Sequence, residues 1–334
     1  SELDTLEEVR LVRETITELG RSRQPIIVGP WVSETGFELL YWIPFLRWAK
    51  VYGNVHQDRI VVISRGGAAP WYRDISTSYS DLFDHISLDE FNHWNGEQRA
   101  RQVGQKQFEI TELDQKILDR VRTSRRLRRA KILHPSLMYH LFRPFWLQRA
   151  PASLVQRFCI HRRLPTPRVR PLDLPERYVA VKFYSNDALP LTADNAMFVQ
   201  AMLAKLSKRY QVVLLSTGTQ FDEHQEFSLG RHDRIIPIGQ LMTPRTNLEV
   251  QTAVIAGAQA VVGTYGGFSY LGPLCGVNTL TFYSNPDGFR FDHLELAMRA
   301  FRQVDGGQFV SMQATDLDVI NFGFGRAKPV HAVS

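Results

Sequence analysis

Glu34 and Glu38 lie on either side of Gly36, a few residues after the apolar run Ile26-Ile27-Val28. A carboxylate on a loop at the end of a buried strand is placed to take a proton from a hydroxyl group. Trp31 and Phe37 flank it with flat apolar faces. Such faces could stack on a ring and exclude water, which would raise the carboxylate pKa toward neutrality. The competing reading is helix capping, because Ser33-Glu34-Thr35 stands at a helix start, where acids are favoured. Glu34 is the candidate base. Glu38 is its rival, one turn further into the helix.

A second group surrounds residues 260–284, AVVGTYGGFSYLGPLCGVNTLTFYS. Ala260-Val261-Val262 reads as a buried strand that stops at Gly263. Thr264, Tyr265, Gly266 and Gly267 then form a turn, and residues 268–275 a short helix closed by Gly276. Residues 278–283 have the β-branched and aromatic composition of a second strand. A glycine turn at the carboxyl end of a strand lets backbone N–H groups approach an anion, and the helix start adds partial positive charge. Lys182, Thr217, Arg245 and Ser269 fall in or near other strand-end loops of the same half. Together they could hold a diphosphate as it departs. Asp287 and Asp292 follow the last strand, where an acid can bind a ribose hydroxyl pair or cap a helix.

Other residues suggest less. Asp316-Leu317-Asp318 is a D-x-D near the C-terminus, where capping is the expected role. His224 and His232 have Asp222 and Asp233 nearby, but at no standard metal-site spacing. No metal or other cofactor is expected. No G-x-G-x-x-G or Walker sequence is present, which argues against a dinucleotide enzyme or an NTPase. Cys159 and Cys275 are too far apart in sequence for a disulfide scaffold, so a reducing cytoplasm is expected. No run approaches the ~20 apolar residues of a membrane span.

The elements that must position these residues alternate in type. Residues 1–20 read as an amphipathic packing helix, 25–29 as a strand, and 38–50 as a helix that Pro44 should kink. Residues 59–64 form a strand that leads into Arg65-Gly66-Gly67. After a proline-rich stretch at 164–175 the pattern restarts. Strands are expected at 177–183, 211–215 and 234–238, and helices at 193–208, 247–257 and 294–301. This is the rhythm of parallel α/β sheets. A chain of 334 residues suits two domains, 1–165 and 176–334.

The net charge of +6 is local. Residues 121–170 hold twelve Arg, one Lys and no acid, and the remaining 27 basic residues face 34 acidic ones. Arg122, Arg125, Arg126 and Arg129 are expected on one helical face, near the aromatic cluster Tyr139, Phe142, Phe145 and Trp146. Basic side chains beside exposed aromatics suit an anionic membrane surface or an acidic glycan. Nucleic acid, through phosphate contacts and stacking, ranks below these.

On residues 248–283 and 29–37 the chain resembles bacterial glycosyltransferases of the GT-B fold, in which two Rossmann-like domains face each other across a cleft. VVGTYGGFSYLGPLCGV is also similar in layout to the last motif of fucosyltransferase-type enzymes. The resemblance implies transfer of a sugar from a nucleotide-sugar donor to a hydroxyl of a glycan or lipid-linked acceptor. Polysaccharide or glycoconjugate synthesis is the implied setting. The expected location is cytoplasmic, and peripheral on the inner membrane face if the basic segment meets lipid. The donor would be held by Lys182, Thr217, Arg245, Thr264, Tyr265, Gly266, Gly267, Ser269 and Asp287. The acceptor would meet Trp31, Phe37 and Arg65, with Glu34 or Glu38 as base. The alternative is a non-catalytic, glycosyltransferase-like subunit that binds a polyanion through 121–170.

Overall fold

The computed structural model describes residues 2–101, 107–169, 172–217, 225–227 and 234–314. Asp316, Asp318 and the His224, His232, Asp222, Asp233 group lie outside the described residues.

Two parallel sheets carry the architecture. The first contains β1 (Ile26–Val28), β2 (Ile60–Ser64), β3 (Ser78–Asp81) and β4 (Lys131–Leu133), in the order β3-β2-β1-β4. The second contains β5 (Val179–Lys182), β6 (Val212–Leu214), β7 (Ile235–Pro237), β8 (Ala260–Thr264), β9 (Thr279–Tyr283) and β10 (Phe309–Gln313), in the order β10-β9-β8-β5-β6-β7. All of these pairings are parallel. In each sheet the chain works outward from a central strand, then returns to begin the other side. That reversal leaves a crevice at the carboxyl ends, between β1 and β4 and between β5 and β8. The second sheet has the full six-strand doubly wound order, and the first has its first four strands. The α/β class with two Rossmann-like units is as expected from the sequence.

The central strands β1, β2, β5 and β8 are apolar because helices cover both their faces. The edge strands escape the sequence reading. β3 is Ser-Tyr-Ser-Asp, β4 lies inside the basic segment, and β10 alternates exposed and covered positions. The helix near Pro44 is interrupted by a π-turn. Thr35–Phe37 is a single α-turn, Glu38–Trp42 is π, and α-geometry resumes at Ile43–Tyr52 with Pro44 in its first turn. A proline without an N–H fits where the hydrogen-bond ladder changes register.

Two expectations for the basic segment are corrected. The helix Glu112–Ser124 stops before the arginines, so Arg125, Arg126 and Arg129 lie in the turn to β4, not on a helical face. Arg126 itself has a left-handed φ of 57°, which no helix tolerates in its interior. Tyr139, Phe142, Phe145 and Trp146 are buried, packed among Tyr41, Phe37 and each other, and present no aromatic surface.

The two sheets turn their carboxyl edges toward each other, and one apolar cluster runs through both units. Residues 159–169, which carry no regular element, cross between them. The Leu164 N–H donates to Leu274 O (2.8 Å). Polar bonds also cross the interface. Tyr41 Oη meets His293 Nδ1 at 2.8 Å, and Trp71 Nε1 donates to Thr252 Oγ1 at 3.1 Å. The Gly66 carbonyl accepts from the N–H groups of Leu248 (2.9 Å) and Glu249 (3.1 Å). These two belong to the open first turn of helix Asn247–Gly257, so the first unit caps a helix of the second.

Candidate active site

The two crevices differ in what fills them. In the first sheet the Gln107 side chain occupies the switch point. Its Nε2 donates to Pro30 O (2.9 Å) and its Oε1 accepts from Val32 N (3.2 Å). Buried Asp114, beside His134 after β4, closes the other side. Polar space is instead found where the carboxyl edges meet. Glu34, Thr35, Gly36 and Arg65 line one wall of a cleft. Lys182, Tyr184, Thr217, Glu226, Gln251 and Phe268 are among the residues of the other wall. With its mouth the cleft measures about 670 Å³, but the space that water can enter is only about 80 Å³. The walls stand close together.

Two glycines account for that closeness. A Cβ on Gly36 would lie 2.3 Å from Gly267 Cα, and one on Gly267 would lie 2.4 Å from Gly36 Cα. Only glycine permits two backbones to meet in this way. A Cβ on Gly266 would lie 2.3 Å from the Tyr184 hydroxyl. The sequence reading explained Gly266 and Gly267 by approach of a phosphate. In the structure both serve approach of protein to protein.

Glu34 sits at the cap position before Thr35–Phe37, but its side chain makes no capping hydrogen bond. It is half-buried and lines the cleft. Glu38 is fully buried. Its Oε1 accepts from Ser64 Oγ and Tyr72 Oη, each at 2.5 Å, while Oε2 is buried without a partner. Burial pushes its pKa up to about 7; the hydroxyl donors and the Arg65 charge oppose that shift. Asp81, similarly raised by burial to about 6, accepts from the Gly67 and Phe83 N–H groups and from Tyr79 Oη. These two carboxylates tie down the loop after β2, which carries Arg65.

Arg65 is buried. Its Nη2 donates to Ser33 O (2.8 Å), its guanidinium lies over Phe91, and its Nε has no partner. On the opposite wall Lys182 Nζ reaches Glu226 Oε1 (2.9 Å) and Leu215 O (3.1 Å), and sits over the Phe268 ring. Glu226 Oε1 also accepts from the Thr217 N–H (2.8 Å) and hydroxyl (3.2 Å). One carboxylate oxygen is thus held by an ammonium, an amide and a hydroxyl, the donor set that binds phosphate oxygens elsewhere.

Of the candidates, Glu34, Arg65, Lys182, Thr217 and Gly267 line the cleft together, and the others do not. Trp31 is fully buried between Trp42 and Tyr139, so no sugar can stack on it. Phe37 packs against Tyr41, Trp146 and His293 at the junction of the units. Thr264 is buried, and its hydroxyl bridges the Tyr184 N–H and carbonyl, tying the segment just after β5 to β8. Tyr265 points at Arg290 O and stacks on Phe289. Ser269 closes its own turn on Gly266 O. Arg245 pairs with Asp84 (2.8 Å) as a strut between the units, and Asp287 is exposed in the turn Pro286–Gly288.

The sequence reading missed Tyr184, Glu226, Asn247, Gln251 and Phe268 in the lining. One signal was available. Gln251 and Asn247 are polar residues one turn apart in the helix Asn247–Gly257, and both are buried.

No protein-family model matches the sequence, and no curated protein matches it significantly. Several solved structures are similar in overall fold. One is the glycosyl transferase family 9 protein from Veillonella parvula, 11% identical, covering 87% of this chain and 86% of that one, with a TM-score of 0.42. Another is the E. coli heptosyltransferase WaaC with ADP, 14% identical over 87% of this chain and 93% of that one, TM-score 0.42. A third is the glycosyltransferase SnogD from Streptomyces nogalater, 11% identical over 88% and 87%, TM-score 0.41.

Proposed function

We propose that the protein is a glycosyltransferase that moves a sugar from a nucleotide-sugar donor to a hydroxyl of a glycan or lipid-linked acceptor. The observation that carries this reading is the cleft itself. Two doubly wound sheets bring their carboxyl edges together, with a half-buried carboxylate on one wall and an oxyanion-binding donor set on the other. The second unit would hold the nucleotide at the ends of β5 and β6. A donor diphosphate would take over the Lys182 and Thr217 contacts that Glu226 now makes. As the bond from the anomeric carbon to the diphosphate breaks, charge grows on the leaving oxygen, and these donors stabilise it. The acceptor hydroxyl attacks the anomeric carbon from the first-unit side and loses its proton to Glu34. Pockets for ligands of this size run to roughly 300–1,000 Å³, so the turns at Gly36 and Gly267 must part to admit the donor. The reaction as drawn calls on no metal ion. Among the described residues no group of three His, Cys, Asp or Glu could hold one.

The test is a panel of nucleotide sugars incubated with the protein. One donor should release its nucleoside diphosphate slowly in water and faster when a sugar acceptor is added. Release from no member of the panel would count against the reading.

The basic segment supports a second, separate contact. Arg126, Arg128 and Arg129 are exposed around a depression that includes Pro25 and Ala130. These residues precede β1 and β4, so the patch lies on the edge of the first sheet opposite the cleft. Arg122 pairs with Asp119, and Arg125 bonds to Ser78 Oγ and Tyr79 O. The exposed three suit an anionic membrane surface on the cytoplasmic side, each being worth ~1 kcal/mol near such a surface. No described helix is long and apolar enough to cross a membrane. The same patch would serve a non-catalytic subunit that binds a polyanion.

A further inference from the structure

Two side chains in the cleft each keep a buried polar atom without a hydrogen-bond partner. Arg65 Nε is one, on the first unit, and Gln251 Oε1 is the other, on the second. Both residues are almost wholly enclosed, at 4% and 2% exposure. Gln251 is fixed by its Nε2, which donates to Asn247 O (3.1 Å). Arg65 is fixed by Ser33 O and by the Phe91 ring. Among the described residues no carboxylate lies within ion-pair distance of Arg65. A buried guanidinium without a paired anion is costly, and so is an orphaned amide oxygen. Both costs fall if a ligand supplies an oxyanion to the first and a hydroxyl to the second.

We propose that Arg65 and Gln251 form a subsite for a sugar bearing an oxyanion next to a free hydroxyl, a carboxylate or a phosphate ester. The inference rests on the glycosyl-transfer reading, of which it defines the acceptor class. Lys182 already faces a carboxylate, Glu226, whose place the donor diphosphate would take. That leaves Arg65, on the acceptor wall, for a second anion. Guanidinium suits the role because its planar fork matches carboxylate and phosphate geometry.

Calorimetry with D-glucuronate, D-glucose 6-phosphate and D-glucose tests the subsite on the intact protein, without variants. Glucuronate, glucose 6-phosphate or both should bind at least roughly tenfold more tightly than glucose, and the stronger of the two tells carboxylate from phosphate. Arg65→Lys keeps the charge but loses the fork, and should weaken the preferred sugar by about tenfold. Gln251→Glu places a like charge there and should abolish that binding. Nucleoside diphosphate binding, measured on the same samples, should be unchanged in Arg65→Lys. Equal affinity for all three sugars would overturn the subsite. So would loss of nucleotide binding in Arg65→Lys, because the anion would then be the donor phosphate. Nucleotide binding without preference for the anionic sugar would sink the subsite alone. Preference for the anionic sugar without any nucleotide binding would sink the glycosyl-transfer reading alone.

Discussion

Glu34→Gln is expected to lower turnover of the best donor–acceptor pair by roughly 10²–10⁴-fold, the usual contribution of a general base. Donor affinity should stay near that of the parent. The expectation follows from position. Glu34 ends the loop after β1, lines the cleft, and makes no capping bond that its loss would disturb. Glutamine preserves its shape and removes its basicity. Glu38 serves as the internal control. It is enclosed by Ser64 and Tyr72, so Glu38→Gln should change turnover far less. Steady-state kinetics on both variants decides between them. If Glu38→Gln is the crippled variant, the base is the buried residue and the π-turn is its mount.

Glu38 has a larger part in stability. Its carboxyl holds its proton more tightly in the folded chain than in the unfolded one, with a pKa raised from 4.5 to about 7 by burial. The corresponding stabilisation is fully present below about pH 4.5 and is lost as pH rises through about 7. At about 1.4 kcal/mol per pKa unit, the whole span is worth about 3 kcal/mol. Asp81, raised from 3.8 to about 6, acts in the same direction at slightly lower pH. Glu38→Gln keeps a neutral side chain that still accepts from Ser64 and Tyr72. Relative to the parent, its melting temperature should rise by several degrees between pH 5 and pH 8. Parallel melting curves for the two proteins across that range would remove Glu38 from the account.

The fold was legible where burial is two-sided. Runs such as Ile26-Ile27-Val28 and Ala260-Val261-Val262 read as central strands because both faces are covered. β3 and β10 were not legible, because an edge strand carries polar positions and shows no continuous apolar run. The candidate site was legible in part for a related reason. Strand ends reveal themselves, so Glu34, Arg65, Lys182 and Thr217, which line the cleft, could be singled out. Which side chain turns into the cleft depends on contacts between the units, which no local pattern encodes. Trp31 follows the same strand as Glu34 yet is packed between Trp42 and Tyr139. Gly267 suggested a ligand because a missing Cβ signals close approach, but what approaches is Gly36. The arginines after Ser124 fit helical spacing, yet the helix ends before them and Arg126 turns left-handed.

The central claim is that the carboxyl edge of the second sheet holds a nucleotide diphosphate on Lys182 and Thr217. Calorimetric titration of the protein with the common nucleoside diphosphates tests it most directly, with Lys182→Ala and Thr217→Val alongside. One nucleotide should bind saturably, and Lys182→Ala should weaken it by about tenfold or more, as expected for loss of a charge-assisted contact. Binding of none of them, or binding that both substitutions leave unchanged, would contradict the account.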